Sequence, residues 1–118
     1  MNFEIEFYET VEGRKPAAEF LVELEFKNIY LRNRISEGIN KLKNSIYHKE
    51  PLSKYIEPGL WELRIKAGTD IARILYTFRK GQIIILLHAF VKKQQKTPKG
   101  ELNIARKRLK DILLREAN

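Results

Sequence analysis

Two arginines and a short run of lysines are the residues of this chain whose types and spacing could do chemistry. Arg64 stands in Trp-Glu-Leu-Arg and Arg73 in Ala-Arg-Ile-Leu-Tyr, while Lys92, Lys93 and Lys96 follow closely on the apolar run Ile83-Ile-Ile-Leu-Leu87. A guanidinium is a planar fork of N–H donors that matches two oxygens of a phosphate, and ammonium groups add point charge. Such a set suits a polyanion, with RNA the first choice. Cutting RNA without a metal needs the ribose 2′-hydroxyl to attack its own phosphate. It also needs a base for the hydroxyl proton, an acid for the departing 5′-oxygen, and cations for charge growing on the phosphoryl oxygens. Arg64 and Arg73 suit the last role. A lysine exchanges protons near neutral pH only when neighbouring cations or desolvation lower its pKa, and Lys92, Lys93 and Lys96 beside two arginines supply such crowding. Lys66 and Lys99 extend the cationic set toward bound substrate, and Phe90, at the exit of the strand, offers a ring on which a base can stack.

Each of these residues also has a purely structural reading. Arg73 lies among Ile71, Ala72, Ile74 and Leu75, where a charge is costly unless paired, which favours a role for it. Arg64 is open to both readings, since Glu62 is two residues away as a partner on an exposed face. His88, inside an apolar strand end, reads as a satisfied core histidine, and His48 as loop surface. Trp61, Tyr76 and Phe78 read as core. Lys107, Arg108 and Lys110 read as the solvated face of a helix.

The elements that must bring these residues together follow from hydrophobic spacing. Phe3-Glu-Ile-Glu-Phe7 alternates and reads as a half-buried edge strand. Pro16 suits a first helical turn, with Ala17, Phe20, Leu21 and Leu24 on one side. Leu31, Ile35, Ile39, Leu42 and Ile46 recur at helical spacing and predict a second helix. Residues 47–59 hold Pro51, Ser53, Pro58 and Gly59 and read as an irregular connection. Leu60–Ile65 and Ile71–Phe78 form a hairpin about Ala67-Gly-Thr-Asp70. If it closes symmetrically, Arg64 stands opposite Arg73. Trp61, Leu63, Ile65, Ala72, Ile74, Tyr76 and Phe78 then share one face, and Glu62, Arg64, Lys66, Arg73 and Thr77 the other. The strand from Gln82 to about Phe90 is apolar enough for a central position. Thr97 as N-cap and Pro98 as first helical residue begin the last helix, whose buried side is Leu102, Ala105, Leu109, Ile112 and Leu113.

Composition sets the bounds. The chain has 118 residues, no cysteine, two histidines, and 23 Lys+Arg against 15 Asp+Glu, a net charge of +8. That length fits a single domain, residues 1–118, with a core of its own. Without cysteine there is no disulfide framework and no thiolate metal site, so no metal and no cofactor is expected. The field of so basic a domain attracts phosphate backbones or an acidic protein. No apolar run approaches spanning length and the N-terminus has no signal-like pattern, so a cytoplasmic protein with no membrane partner is expected.

In this order, and with Phe90-Val-Lys-Lys-Gln-Gln-Lys-Thr-Pro98 as the most specific string, the chain resembles the HigB-like branch of the RelE/ParE toxin superfamily, including its phage-derived members. Tyr8-Glu-Thr-Val-Glu-Gly-Arg-Lys-Pro16 and Ala18-Glu-Phe-Leu21 are similar to the opening of that branch. The resemblance covers nearly the whole chain. It implies an α+β, RelE-like fold: a small, antiparallel-rich sheet of about four strands with two N-terminal helices packed on it and a C-terminal helix. It also implies a type II toxin, a metal-independent mRNA endonuclease working on the ribosome. A HigA-like antitoxin with a helix-turn-helix domain would neutralise it and connect it to operator DNA only indirectly. Carried over by position, Arg64, Arg73, Lys92, Lys93 and Lys96 would bind and process the phosphate. The last helix, ending Leu-Leu-Arg-Glu-Ala-Asn, lacks the C-terminal tyrosine of RelE. Since one fold serves several activities, a ParE-like gyrase inhibitor and a non-catalytic basic module binding RNA or protein remain the alternative expectations. On the nuclease reading, Arg73→Ala is expected to abolish toxicity with the fold intact.

Overall fold

The computed structural model describes residues 2–92 and 96–117. In chain order these form β1 (Glu4–Phe7), α1 (Pro16–Lys27), α2 (Ile29–Lys41), a 3₁₀ turn (Ser45–Tyr47), β2 (Ser53–Glu57), β3 (Leu60–Ala67), β4 (Asp70–Arg79), β5 (Ile83–Lys92) and α3 (Lys99–Ala117). The strands make one five-stranded sheet in the order β1-β5-β4-β3-β2. β1 runs parallel to β5 at one edge, and every other pairing is antiparallel. The architecture is the expected α+β one with one strand more. β1 is the edge strand its alternation indicated, and β5 lies between two neighbours.

The β3–β4 hairpin closes in the expected register. Ala67 pairs with Asp70 around Gly68-Thr69, with Gly68 at φ +64°, a conformation that glycine adopts without steric cost. Arg64 therefore faces Arg73. The face carrying Leu63, Ile65, Ala72, Ile74, Tyr76, Ile84 and Leu86 is sealed by α1 and α2 through Ala17, Leu24, Leu31 and Ile35. Gly38 lets α2 approach β3, since a Cβ there would collide with the Ile65 side chain. The opposite face packs against α3, where Leu60, Leu75, Leu87 and Phe90 meet Ala105 and Ile112. Tyr8 ties that helix down from below β1, donating from its hydroxyl to Asp111 Oδ2 at 2.7 Å.

Several elements differ from the sequence reading. Ser53–Glu57 was read as part of an irregular connection and is the second edge strand; between Pro51 and Pro58 it is too short and too irregular in alternation to show as one. Its register shifts between Tyr55 and Glu57, and Ile56 packs on the α3-side core. The second helix stops at Lys41, so Ile46, expected on its apolar stripe, lies in the 3₁₀ turn and is 60% exposed. Leu113 is also exposed. His48, expected on the loop surface, is half-buried and anchored: its Nε2 is 2.6 Å from the Leu42 carbonyl oxygen and its ring packs against Phe3 and Phe78. Nor is Arg108 a solvated cation, since it donates to the Leu87 carbonyl oxygen at 2.7 Å, and burial lowers its pKa from the ordinary value.

Candidate anion-binding site

A bulge in β5 decides which side chains join the arginines. Leu75 pairs with His88 but the next residue, Tyr76, pairs with Leu86, so Leu87 is the extra residue. The bulge reverses the inside–outside alternation of the strand. Ile85 and Leu87 before it, and His88, Phe90 and Lys92 after it, all fall on the α3 side. Three rows then cross the sheet on that face: Glu62–Leu75–His88, Arg64–Arg73–Phe90 and Lys66–Ile71–Lys92. Directly opposed side chains in such rows start about 5 Å apart at Cβ, so long cations in adjacent rows share one field.

Helix α3 covers only part of these rows. Where its cover ends, Thr97 closes over the middle. The Arg73 guanidinium donates to Thr97 Oγ1 at 3.0 Å and lies 3.9 Å from Glu62 Oε2. The Thr97 hydroxyl in turn donates to Glu62 Oε2. Arg64 Nε stands 3.4 Å from Glu62 Oε1. One buried carboxylate therefore separates and partly neutralises two arginines that would otherwise repel. The Arg73 side chain has no exposed surface; its burial lowers its pKa, Glu62 raises it and Arg64 lowers it further. Arg64 keeps 25% of its side chain exposed. Of the pair, Arg64 is the guanidinium that reaches the surface, and Arg73 is enclosed by the groups it holds.

Beside Arg64 the face opens into a pocket of about 660 Å³ bounded by the 46–52 segment, with Lys66 and Ile71 on its sheet side. Lys66, Lys92, Lys96 and Lys99 are all exposed. Lys92 belongs to the row next to the arginines, and Lys96 adjoins Thr97. Lys93 lies outside the described residues. Lys99 opens α3.

Phe90 requires a correction. It was expected to stack on a base, yet it is 6% exposed, packed into the α3-side core and stacked on the His88 ring at 5.5 Å. The bulge turned it under the helix. His88 is the satisfied histidine expected: Nε2 is 3.0 Å from Glu101 Oε1, and Nδ1 is 3.3 Å from the Arg108 guanidinium. The sequence reading missed two residues. Glu62 appeared only as a possible partner of Arg64, although its place on the arginine face signalled more. Thr97 read as a helix cap, and nothing local reveals that its hydroxyl joins Glu62 to Arg73.

Among the described residues no group of three or more His, Cys, Asp or Glu side chains is placed to hold a metal, and no helix is long and apolar enough to cross a membrane. The family of phage-derived proteins described as Gp49-like (DUF891) matches residues 20–110. The chain belongs to this family. The Gp49-like match runs from α1 into α3 and takes in Glu62, Arg64, Arg73, Lys92 and Thr97. Gp49-like proteins form a RelE-like toxin family, in agreement with the α+β sheet described above. No curated protein matches this Gp49-like chain.

Proposed function

We propose that this chain is a type II toxin of the HigB-like kind, a metal-independent endoribonuclease that cuts mRNA on the ribosome and is neutralised by a HigA-like helix-turn-helix antitoxin. The observation that carries the reading is the cross-strand pair Arg64–Arg73, flanked in the next row by Lys66 and Lys92. Like charges directly opposed cost stability, and here a buried acid and a threonine are spent on holding them in place.

In this reading Arg64 receives the scissile phosphate, and Arg73 positions Arg64 and the segment at Thr97 through Glu62. The 2′-oxygen forms a bond to phosphorus as the bond to the 5′-oxygen breaks, leaving a 2′,3′-cyclic phosphate and a 5′-hydroxyl. The 2′-hydroxyl proton passes to a base and another proton reaches the 5′-oxygen. Lys92, Lys93 and Lys96 are the candidates for these transfers, with Lys66 and Lys99 holding flanking phosphates. The ribosome would supply part of the substrate geometry.

Induced expression followed by mapping of mRNA 5′ ends tests this. Codon-positioned cuts that drop by about a hundredfold in Arg64→Ala, the scale of losing one cation from a developing oxyanion, are expected. Gyrase-dependent DNA breaks in place of mRNA cuts would install the ParE-like reading, and growth arrest with neither would leave a basic binding module.

A further inference from the structure

The pocket beside Arg64 has a floor and a rim of different chemistry. Tyr47, Pro51, Leu52 and Ile71 give it apolar surface. Lys41, Lys49, Arg64 and Lys66 surround this with four cations against the single carboxylate of Glu50. An apolar patch in the same pocket as the Arg64 guanidinium suits a ligand that alternates flat apolar groups with phosphates. The volume is within the range of small-ligand pockets.

The segment that forms the far wall is held in place. The Asn44 side chain accepts from the Ile46 N–H at 3.1 Å, His48 is fixed on the Leu42 carbonyl and between Phe3 and Phe78, and Ser53 N–H donates to the Lys49 carbonyl oxygen at 3.0 Å. Those contacts hold Tyr47 and the exposed Ile46 at the pocket. The Lys41 ammonium lies 5.6 Å from the centre of the Tyr47 ring, a cation–π contact between two residues that line the pocket.

We propose that this pocket is a nucleobase subsite: it takes the base next to the phosphate held by Arg64, with the Tyr47 ring as its stacking surface. The inference rests on the reading of Arg64 as the phosphate-receiving cation. A base stacked on Tyr47 displaces Lys41, whose ammonium then meets the neighbouring phosphate. Recognition of this kind belongs to single-stranded nucleic acid, whose bases are free to leave the chain axis.

The test is a titration of the full-length, isotope-labelled protein with a deoxy-tetranucleotide, which lacks the 2′-hydroxyl and is not cut, and with the same backbone carrying abasic sites. Binding by the base-bearing chain is expected to be roughly tenfold tighter or more, the size of one base–aromatic stack, with amide shifts at Ile46, Tyr47, Leu52 and Ile71. Tyr47→Ala should reduce it to the abasic level, and Tyr47→Phe should retain it. Equal affinity for the two ligands, no binding by either, or base dependence that survives Tyr47→Ala overturns the proposal, as does tighter binding of an acidic peptide to the same residues. Base-dependent binding without mRNA cuts in the expression experiment keeps the subsite and removes the nuclease. Cuts without base dependence do the reverse.

Discussion

Arg73 and Ile74 are neighbours on β4, both with almost no exposed surface, yet the sheet sends them to faces that are finished in different ways. Ile74 enters a face closed by two helices, where the buried Tyr76 hydroxyl donates to the buried Ser53 Oγ at 2.8 Å. Arg73 enters a face closed by one helix that stops short, where Glu62 is buried, Arg64 is partly exposed and Lys66 and Lys92 are exposed. The first face is closed over by apolar side chains from α1 and α2. The second keeps charge at the boundary between cover and water, where desolvation sets the side chains but does not remove them from reach. Burial by itself therefore says little about role; what the buried group is bonded to says more.

Substitutions on the two faces test that contrast. The largest effect is expected for Arg73→Met, which takes one guanidinium away from the buried Glu62 carboxylate and should cost up to about 3–5 kcal/mol in urea unfolding, whereas Arg73→Met with Glu62→Leu should recover most of this because both members of the buried pair are gone. This amends the expectation that loss of Arg73 leaves the fold intact: its complete burial makes it a stability residue as well. A double variant as unstable as the single one would show that the polar face is held by more than that pair. Ile74→Ala, one residue along, should cost about 2–5 kcal/mol by cavity formation, with no double-variant rescue of the same sort.

Tyr76→Phe should cost about 1 kcal/mol, the net worth of a buried hydroxyl bond. Burial raises the Tyr76 pKa to about 12, and its bond to Ser53 works in the opposite direction. Raised above the unfolded value near 10, this group contributes stability that is full below pH 10 and is lost as pH climbs toward 12. Ultraviolet titration should show late-ionising tyrosine signal of which Tyr76→Phe removes one residue's worth, leaving that of Tyr8, whose pKa is raised by burial and by Asp111. An unchanged curve would place water against that hydroxyl and weaken the description of a sealed face. The smallest effect on stability belongs to Arg64→Gln, under about 1 kcal/mol because the side chain is partly solvated. On the proposed function the same change should abolish growth arrest, so a stable and fully toxic Arg64→Gln would sink the assignment of the uncovered rows.

The residues that made the fold legible are the ones whose information is local. Pro16 with its helical spacing predicted α1, and the alternation of Leu60–Ile65 with a glycine-containing turn predicted the Arg64–Arg73 register that the site depends on. Ser53–Glu57 escaped because an edge strand between prolines has too few alternating positions to announce itself. Ile46 misled because helical spacing continues past the end of the helix into a 3₁₀ turn, where the side chain is turned outward.

From the sequence came the charge of this protein, its RelE-like kinship, and, because side-chain period and turn chemistry operate over a few residues, the faces of the β3–β4 hairpin and the meeting of two arginines. Only the tertiary structure decided that Arg73 is hidden and Arg64 open, that Phe90 lies under α3, and that Thr97 joins Glu62 to Arg73. Those outcomes rest on the bulge at Leu87 and on where a helix that begins 26 residues after Arg73 stops covering the sheet, and contacts of that range leave no periodic trace in the chain.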